Sequence, residues 1–187
     1  MPSERTNRAA RILETSRLSL RELSEDDAPA LLELYREPSV SRFLGPPPGS
    51  EADERANIHR HREVYYERRG FGLWGIELKV AHPRLVGRCG LLVTEIAGRS
   101  EVEISWVVAP EYQGRGLATE AARAVLGHAQ TTLKQRRIVA VIAPGNHASI
   151  RVAHRLGMRL ITDVPYRELG SVHLYLWDGA ANLAAGT

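Results

Sequence analysis

An α+β domain built on a mixed β-sheet is what this 187-residue sequence predicts, and three observations predict it. Stretches that alternate apolar and polar residues recur at strand length, as in TSRLSLREL and EVEISWVVAP. Between them lie stretches with helical starts and stops, such as SEDDAPALLELYREP and NHASIRVAHRLGM. One run, RIVAVIAP, is nearly all apolar, as expected of a strand covered on both faces. The element order is β-α-α-β-β-β-α-β-α-β-β, one domain over residues 15–178.

The elements follow in turn. Residues 1–14 read as a loose arm. TSRLSLREL is a strand with Leu18 and Leu20 on one side. The first helix is expected to take Asp26 as its N-cap, because capping at Ser24 would leave Pro29 a turn too deep; Pro38 ends it. FLGPPPGS is a loop, and EADERANIHRHREVYYERR is a second, highly charged helix. GLWGIELKV and LVGRCGLLVTEI form a hairpin turning at Ala81, His82 and Pro83, and EVEISWVVAP is the next strand. After a glycine loop, a helix runs to about Thr132. RIVAVIAP precedes the last helix, which Gly157 stops. RLITDVPYREL and SVHLYLWDG close the domain as a hairpin around Gly170, and residues 179–187 are a tail.

Composition narrows the function classes. With 43% hydrophobic and 25% charged residues, the chain can bury a substantial core. No apolar run approaches the ~20 residues of a membrane span. The polar start MPSERTNRAARILET lacks the apolar stretch of a secretory leader. The single cysteine, Cys89, forbids an internal disulfide and fits a reducing cytoplasm; within GRCGLLV it reads as a core residue. A net charge of +3 suits a phosphorylated small molecule. Neither nucleic acid nor membrane is expected as a partner: the basic residues are scattered, with no aromatic interleaving. His59 and His61 fall on different helix faces, and His147 and His154 lack a third ligand, so no metal is expected. Trp74 and Trp106 read as core or pocket walls.

QGRGLAT, residues 113–119, places two glycines where a helix must start. Glycine inside a helix costs about 0.5–1 kcal/mol relative to alanine, so some return is expected. The first amides of a helix lack internal partners and sit at its positive end, which suits a phosphate close to bare backbone. A nucleoside-triphosphate loop is excluded because no lysine follows the last glycine. A dinucleotide fingerprint fails because the next strand ends in Ala143, Pro144, Gly145 and Asn146, with no acidic residue for a ribose.

The longer stretch EVEISWVVAPEYQGRGLATEA resembles the cofactor motif of the GNAT superfamily of N-acetyltransferases. NHASIRVAHRLGM resembles that superfamily's second motif, and TSRLSLREL with GFGLWGIE looks like its RimJ/RimL branch, the ribosomal-protein N-terminal acetyltransferases. The resemblance covers about residues 15–178 and implies acetyl-CoA as acyl donor, an amine or peptide N-terminus as acceptor, and a homodimer. It implies that the amides of Arg115, Gly116, Leu117, Ala118 and Thr119 hold the pyrophosphate while Gln113 and Gly114 shape the turn. Val107 and Val108 would offer free backbone to the pantetheine arm where their strand splays. Asn146 and Ser149 would meet the pantetheine and the thiol end, Asn146 also capping its helix.

Transfer requires removal of a proton from the attacking amine and stabilisation of a leaving thiolate. Glu103 shares a strand face with Ser105 and Val107 by period-two alternation and is the candidate base. The tyrosine acid that many relatives carry is replaced by Ala153, which leaves Ser149 to hydrogen-bond the departing sulfur. The acceptor would be set by the first helix pair, the loop at 46–48 and the hairpin around Gly170. A non-catalytic acyl-CoA sensor is the rival class, separable by its lack of turnover with any amine.

Overall fold

Eight strands form one sheet in the order β1-β2-β3-β4-β5-β6-β8-β7. The computed structural model describes residues 10–166 and 169–179. The strands are β1 (Arg11–Glu14), β2 (Leu18–Arg21), β3 (Leu73–Leu78), β4 (Leu85–Ile96), β5 (Arg99–Val108), β6 (Arg137–Ile142), β7 (Arg159–Pro165) and β8 (Ser171–Asp178). The helices are α1 (Ala28–Arg36), α2 (Pro38–Leu44), α3 (Glu51–His61), α4 (Leu117–Thr131) and α5 (His147–Arg155). A π turn, Arg62–Glu67, extends α3. All neighbouring strands are antiparallel except β5 and β6, which makes the sheet mixed as predicted.

The side-chain period of two divides the core. On β6, Ile138, Ala140 and Ile142 join a cluster with α4 and α5, while Val139 joins another with Val164, Tyr166, Val172 and Leu174. This strand is therefore covered on both faces, as its apolar run predicts. Helix α4 meets the first face through Leu117, Ala121, Ala122, Val125, Leu126 and Ala129, a stripe at helical spacing. Helices α1–α3 pack on the opposite face, where Leu23, Leu31, Val40 and Ile58 gather with Val107. Cys89 and Trp74 are core residues, and burial pushes the Cys89 thiol up from its ordinary value.

Three expectations need correction. Within the predicted arm, residues 11–14 are strand β1, which pairs with β2 through Leu13 and Leu20 and packs Ile12 and Leu13 on the core. Residues 1–9, and the tail beyond Gly179, lie outside the described residues. The first helix is preceded by a 3-10 turn over Glu25–Asp27, and Asp27, not Asp26, stands at the N-cap of α1. Arg21 chooses between them: its guanidinium grips both Asp27 oxygens at 2.7 Å, and the Ser24 amide donates to Oδ2 at 2.8 Å. Finally, Pro38 ends α1 and also starts α2, where its fixed φ and missing N–H suit a first helical position. Phe43 and Leu44, predicted as loop, are thereby helical, and the loop begins at Gly45.

Candidate functional site

Strands β5 and β6 form a single backbone pairing, Glu103 with Val139, and then separate. The ends of β5 and β6 beyond that pair flank a gap in the sheet. Residues Val107 and Val108 keep their pairing with Arg88 and Gly87 on β4, so one side of this stretch stays anchored while the other borders the gap. The Gln113 side-chain amide donates to the Val108 carbonyl at 2.9 Å and ties the following turn to the strand end.

That turn delivers the glycine loop. Gly114 and Gly116 have φ of 76° and 77°, in the left-handed region that favours glycine, and Gly116 is the N-cap of α4. A groove of about 230 Å³ runs from this loop along Trp106, Val107 and Val108 to Asn146 and Ser149 on α5, with Leu117, Ala118 and Thr119 at its loop end. Helix α2 closes one side through Arg42 and Phe43. The Thr119 hydroxyl is buried at the start of α4 without a hydrogen-bond partner. Arg115 turns away: its guanidinium donates to the Glu111 carbonyl at 2.9 Å and lies over Tyr112.

The first turn of α4 carries Glu120, whose charge would oppose an anion in the groove. It is engaged elsewhere. Arg17 donates to it from Nε at 2.6 Å and from its amide at 3.0 Å, and the Thr15 hydroxyl donates at 2.5 Å. Burial by itself would raise the Glu120 carboxyl, yet these hydrogen bonds hold it below the usual carboxylate range.

A second cavity, about 160 Å³, fills the gap itself and is lined by Glu103, Ser105, Trp106, Asn146, Ser149 and Tyr166 among others. Glu103 pairs with Val139 and so projects to the side of the α1–α3 layer; Ser149 comes from α5 on the other side. Alternation groups Glu103 with Ser105, and both line this cavity, but Ile104 and Trp106 line it too because a gap exposes both faces of a strand. Glu103 is 6% exposed and accepts from the Tyr166 hydroxyl on Oε2 at 2.9 Å; the Thr94 hydroxyl lies 3.1 Å from the same phenol oxygen. Asn146 caps α5 by accepting the Ser149 amide on Oδ1 at 3.1 Å.

A third cavity, about 240 Å³, opens on the α1–α3 side between Tyr35, Leu44, the loop at 45–48, Ile58 and His61. Arg88 and Leu44 line both it and the central cavity. His61 is half-buried and its imidazole is lowered to about 4, first by burial and then by Arg88, so at neutral pH Nε2 accepts the Leu73 amide at 2.8 Å. The π turn that follows brings Tyr66 to the backbone of Leu23 and Leu73, and such turns are frequent at functional sites.

The structure thus gathers Glu103, Asn146 and Ser149 in one cavity and lines the adjoining groove with Val107, Val108, Gln113, Gly114, Gly116, Leu117, Ala118 and Thr119. Sequence reasoning missed Tyr166, Arg88, His61 and Phe43. Tyr166 stands just beyond β7, and only the hairpin's fold carries it to Glu103. Among the described residues no group of acidic, histidine or cysteine side chains could hold a metal, and no helix is long and apolar enough to cross a membrane.

A splayed parallel pair, a glycine-opened helix and a carboxylate in the gap thus meet at one place in the sheet. Residues 17–159 match the family model described as the acetyltransferase (GNAT) domain. The chain belongs to that family and is an acetyl-CoA-dependent N-acetyltransferase. The uncharacterized N-acetyltransferase YoaA of Bacillus subtilis is 32% identical over 150 residues, 79% of this chain and 82% of that protein. The acetyltransferase of Agrobacterium tumefaciens superposes with a TM-score of 0.74 at 27% identity, over 88% of this chain and 92% of that one. RimL, a ribosomal L7/L12 alpha-N-protein acetyltransferase solved with coenzyme A, shares the fold with a TM-score of 0.74 at 21% identity, over 90% and 98%.

Proposed function

We propose that the protein transfers the acetyl group of acetyl-CoA directly to a primary amine within a ternary complex, with the donor on the α4–α5 side of the sheet and the acceptor on the α1–α3 side. One observation carries this reading: Glu103 and Ser149 approach from opposite faces and line one cavity in the gap between β5 and β6.

The groove fits the donor. The partnerless Thr119 hydroxyl, the open amides of the first turn of α4 and the left-handed glycines make an anion cradle at one end. Its course along Val107 and Val108 to the start of α5 suits an extended arm, and Glu120 is engaged by Arg17. In this reading the amides of residues 115–119 hold the pyrophosphate, Gln113 and Gly114 set the turn, and Val107 and Val108 pair their backbone with pantetheine. Asn146 flanks the arm near its thiol end.

Bound there, acetyl-CoA supplies a thioester whose carbon–sulfur bond breaks as the amine nitrogen bonds to the acetyl carbon. The chain's own groups manage charge. A β5 amide near Val107 polarises the carbonyl, Glu103 takes the proton that the amine loses, directly or through water, and Ser149 donates to the sulfur as negative charge grows on it. Tyr166 holds Glu103 in place from Oε2. The acceptor is a peptide N-terminus or a small amine.

Glu103→Gln tests the assignment. General-base catalysis of this kind contributes about 10²–10⁴ in rate, so turnover should fall in that range, most steeply below the amine's pKa, while acetyl-CoA binding is retained. Wild-type rates across pH 6–9 would make Glu103 a structural residue.

A further inference from the structure

We infer that the acceptor carries a carboxylate beside its amine and that Arg88 reads it, which makes free α-amino acids the substrate class; this rests on the transfer reading above. Arg88 on β4 lies opposite Val107, so its side chain leaves the sheet on the α1–α3 face. Its guanidinium lies over the Tyr35 ring, 5.1 Å from the centroid. It borders both the acceptor-side cavity and the central cavity that holds Glu103 and Ser149, and therefore stands at their junction.

This cation lacks what comparable arginines in the molecule have. Arg21, 13% exposed, is held by Asp27 and Glu77 at 2.7 Å, and Arg62 reaches Glu22 at 3.1 Å. Arg88 forms no salt bridge among the described residues and its Nε has no hydrogen-bond partner, although its side chain hydrogen-bonds the Tyr35 hydroxyl and is attracted by the Glu54 carboxylate. A half-buried cation without a salt-bridge partner is costly, and an anionic ligand oxygen at the guanidinium relieves that cost. His61, the other basic group of the cavity, is neutral near pH 7, so Arg88 is the one cation that lines it among the described residues.

Geometry selects among anions. The carboxylate carbon of an α-amino acid is two bonds from its nitrogen. A carboxylate held by the guanidinium at the junction therefore keeps the amine beside the central cavity that Glu103 also lines. The side chain is left for the cavity between Leu23, Leu44 and Ile58. Glu54 lies in the same wall, buried, with its carboxyl pushed up by burial and accepting from Asn57 at 3.2 Å. A polyamine would find Glu54 there, but its reacting nitrogen would have to pass the positive charge of Arg88.

The test compares, for the wild-type protein and acetyl-CoA, each of a set of free amino acids with its decarboxylated amine, its amide and a peptide beginning with the same residue. The expected preference in kcat/KM is about 10- to 150-fold for the free carboxylate, the range of a charge-assisted hydrogen bond, expressed mainly in KM. Arg88→Gln should raise KM for the amino acid to that of the amine, and Arg88→Lys should restore part of the preference. Acetyl-CoA should still raise the melting temperature of both variants. Equal use of amine and amino acid, or better use of peptides or polyamines, overturns the inference and leaves the transfer reading standing. Failure to acetylate any amine overturns both. The wild-type comparison decides even if Arg88→Gln does not fold.

Discussion

Ser149 sits in the first turn of α5, with its amide committed to the Asn146 cap and its side chain on the wall shared by the groove and the central cavity. A hydroxyl there cannot act as a strong acid, but it can donate to sulfur when the thiolate forms. Losing such a bond to a charged partner costs about 1.5–3 kcal/mol, which is about 10- to 150-fold in kcat. Ser149→Ala should show that loss in single-turnover assays with little change in acetyl-CoA affinity, because a thioester sulfur is a poor acceptor in the ground state. An affinity loss with unchanged kcat would assign Ser149 to binding alone. The positions of Glu103 and Ser149 at the gap were legible in the sequence because each belongs to a local motif, a strand end or a helix start. Arg88 and Tyr166 were not, since their roles depend on which elements the tertiary fold brings beside them. Nothing in VPYREL announces that its tyrosine will reach a glutamate 63 residues earlier.

At the scale of elements, the same distinction separates β6 from β1. A run of apolar residues declares a doubly covered strand by itself, and β6 appeared where RIVAVIAP predicts it. The turn between β1 and β2 contains neither glycine nor proline. It is built by the Thr15 hydroxyl, which accepts the Leu18 amide at 2.9 Å, and by Glu120 reaching over from α4. A reading of local turn chemistry therefore starts the sheet too late, and it also stops the first helix at Pro38 without seeing that the same proline begins α2. The Glu120 latch carries its own prediction. Its carboxyl is held low in the folded protein, so the stability it supplies is present above the unfolded carboxylate value, about 4.3, and is lost as pH falls through the lowered folded one. Arg17 is half exposed, which limits the contribution to about 1 kcal/mol after solvent screening. Glu120→Gln should melt about 2–4 °C below wild type at pH 7, and the gap should close as the pH is taken toward 3. A gap independent of pH would mean that the latch works by shape and not by charge.

Across the whole molecule, the sheet acts as a partition with one opening. Helices α4 and α5 cover one face and border the groove at the glycine loop, helices α1–α3 cover the other and border an open cavity that Arg88 lines, and the gap beyond Glu103 and Val139 lies between the two. In the proposed reading the donor touches elements far apart in sequence, those that line the groove: the end of β5, the start of α4, the start of α5 and one side of α2. A ligand that touches all four only when they are assembled binds the native state and not the unfolded chain, so it must stabilise the fold. At acetyl-CoA near 100 times its Kd, linkage gives about 2.7 kcal/mol, or about 5–10 °C in Tm for a chain of this length. Gly116→Val removes the cradle from within. A β-branched residue at φ 77° strains the backbone by about 1–3 kcal/mol, and relief of that strain turns the first amides of α4 away from the phosphates. The variant should melt lower without ligand and should lose most of the shift with it. Desulfo-coenzyme A, which keeps the pyrophosphate and lacks the thiol, should stabilise wild type nearly as well as coenzyme A does. Wild type whose melting curve does not move in saturating acetyl-CoA would separate the groove from the donor, whatever the rest of the site contains.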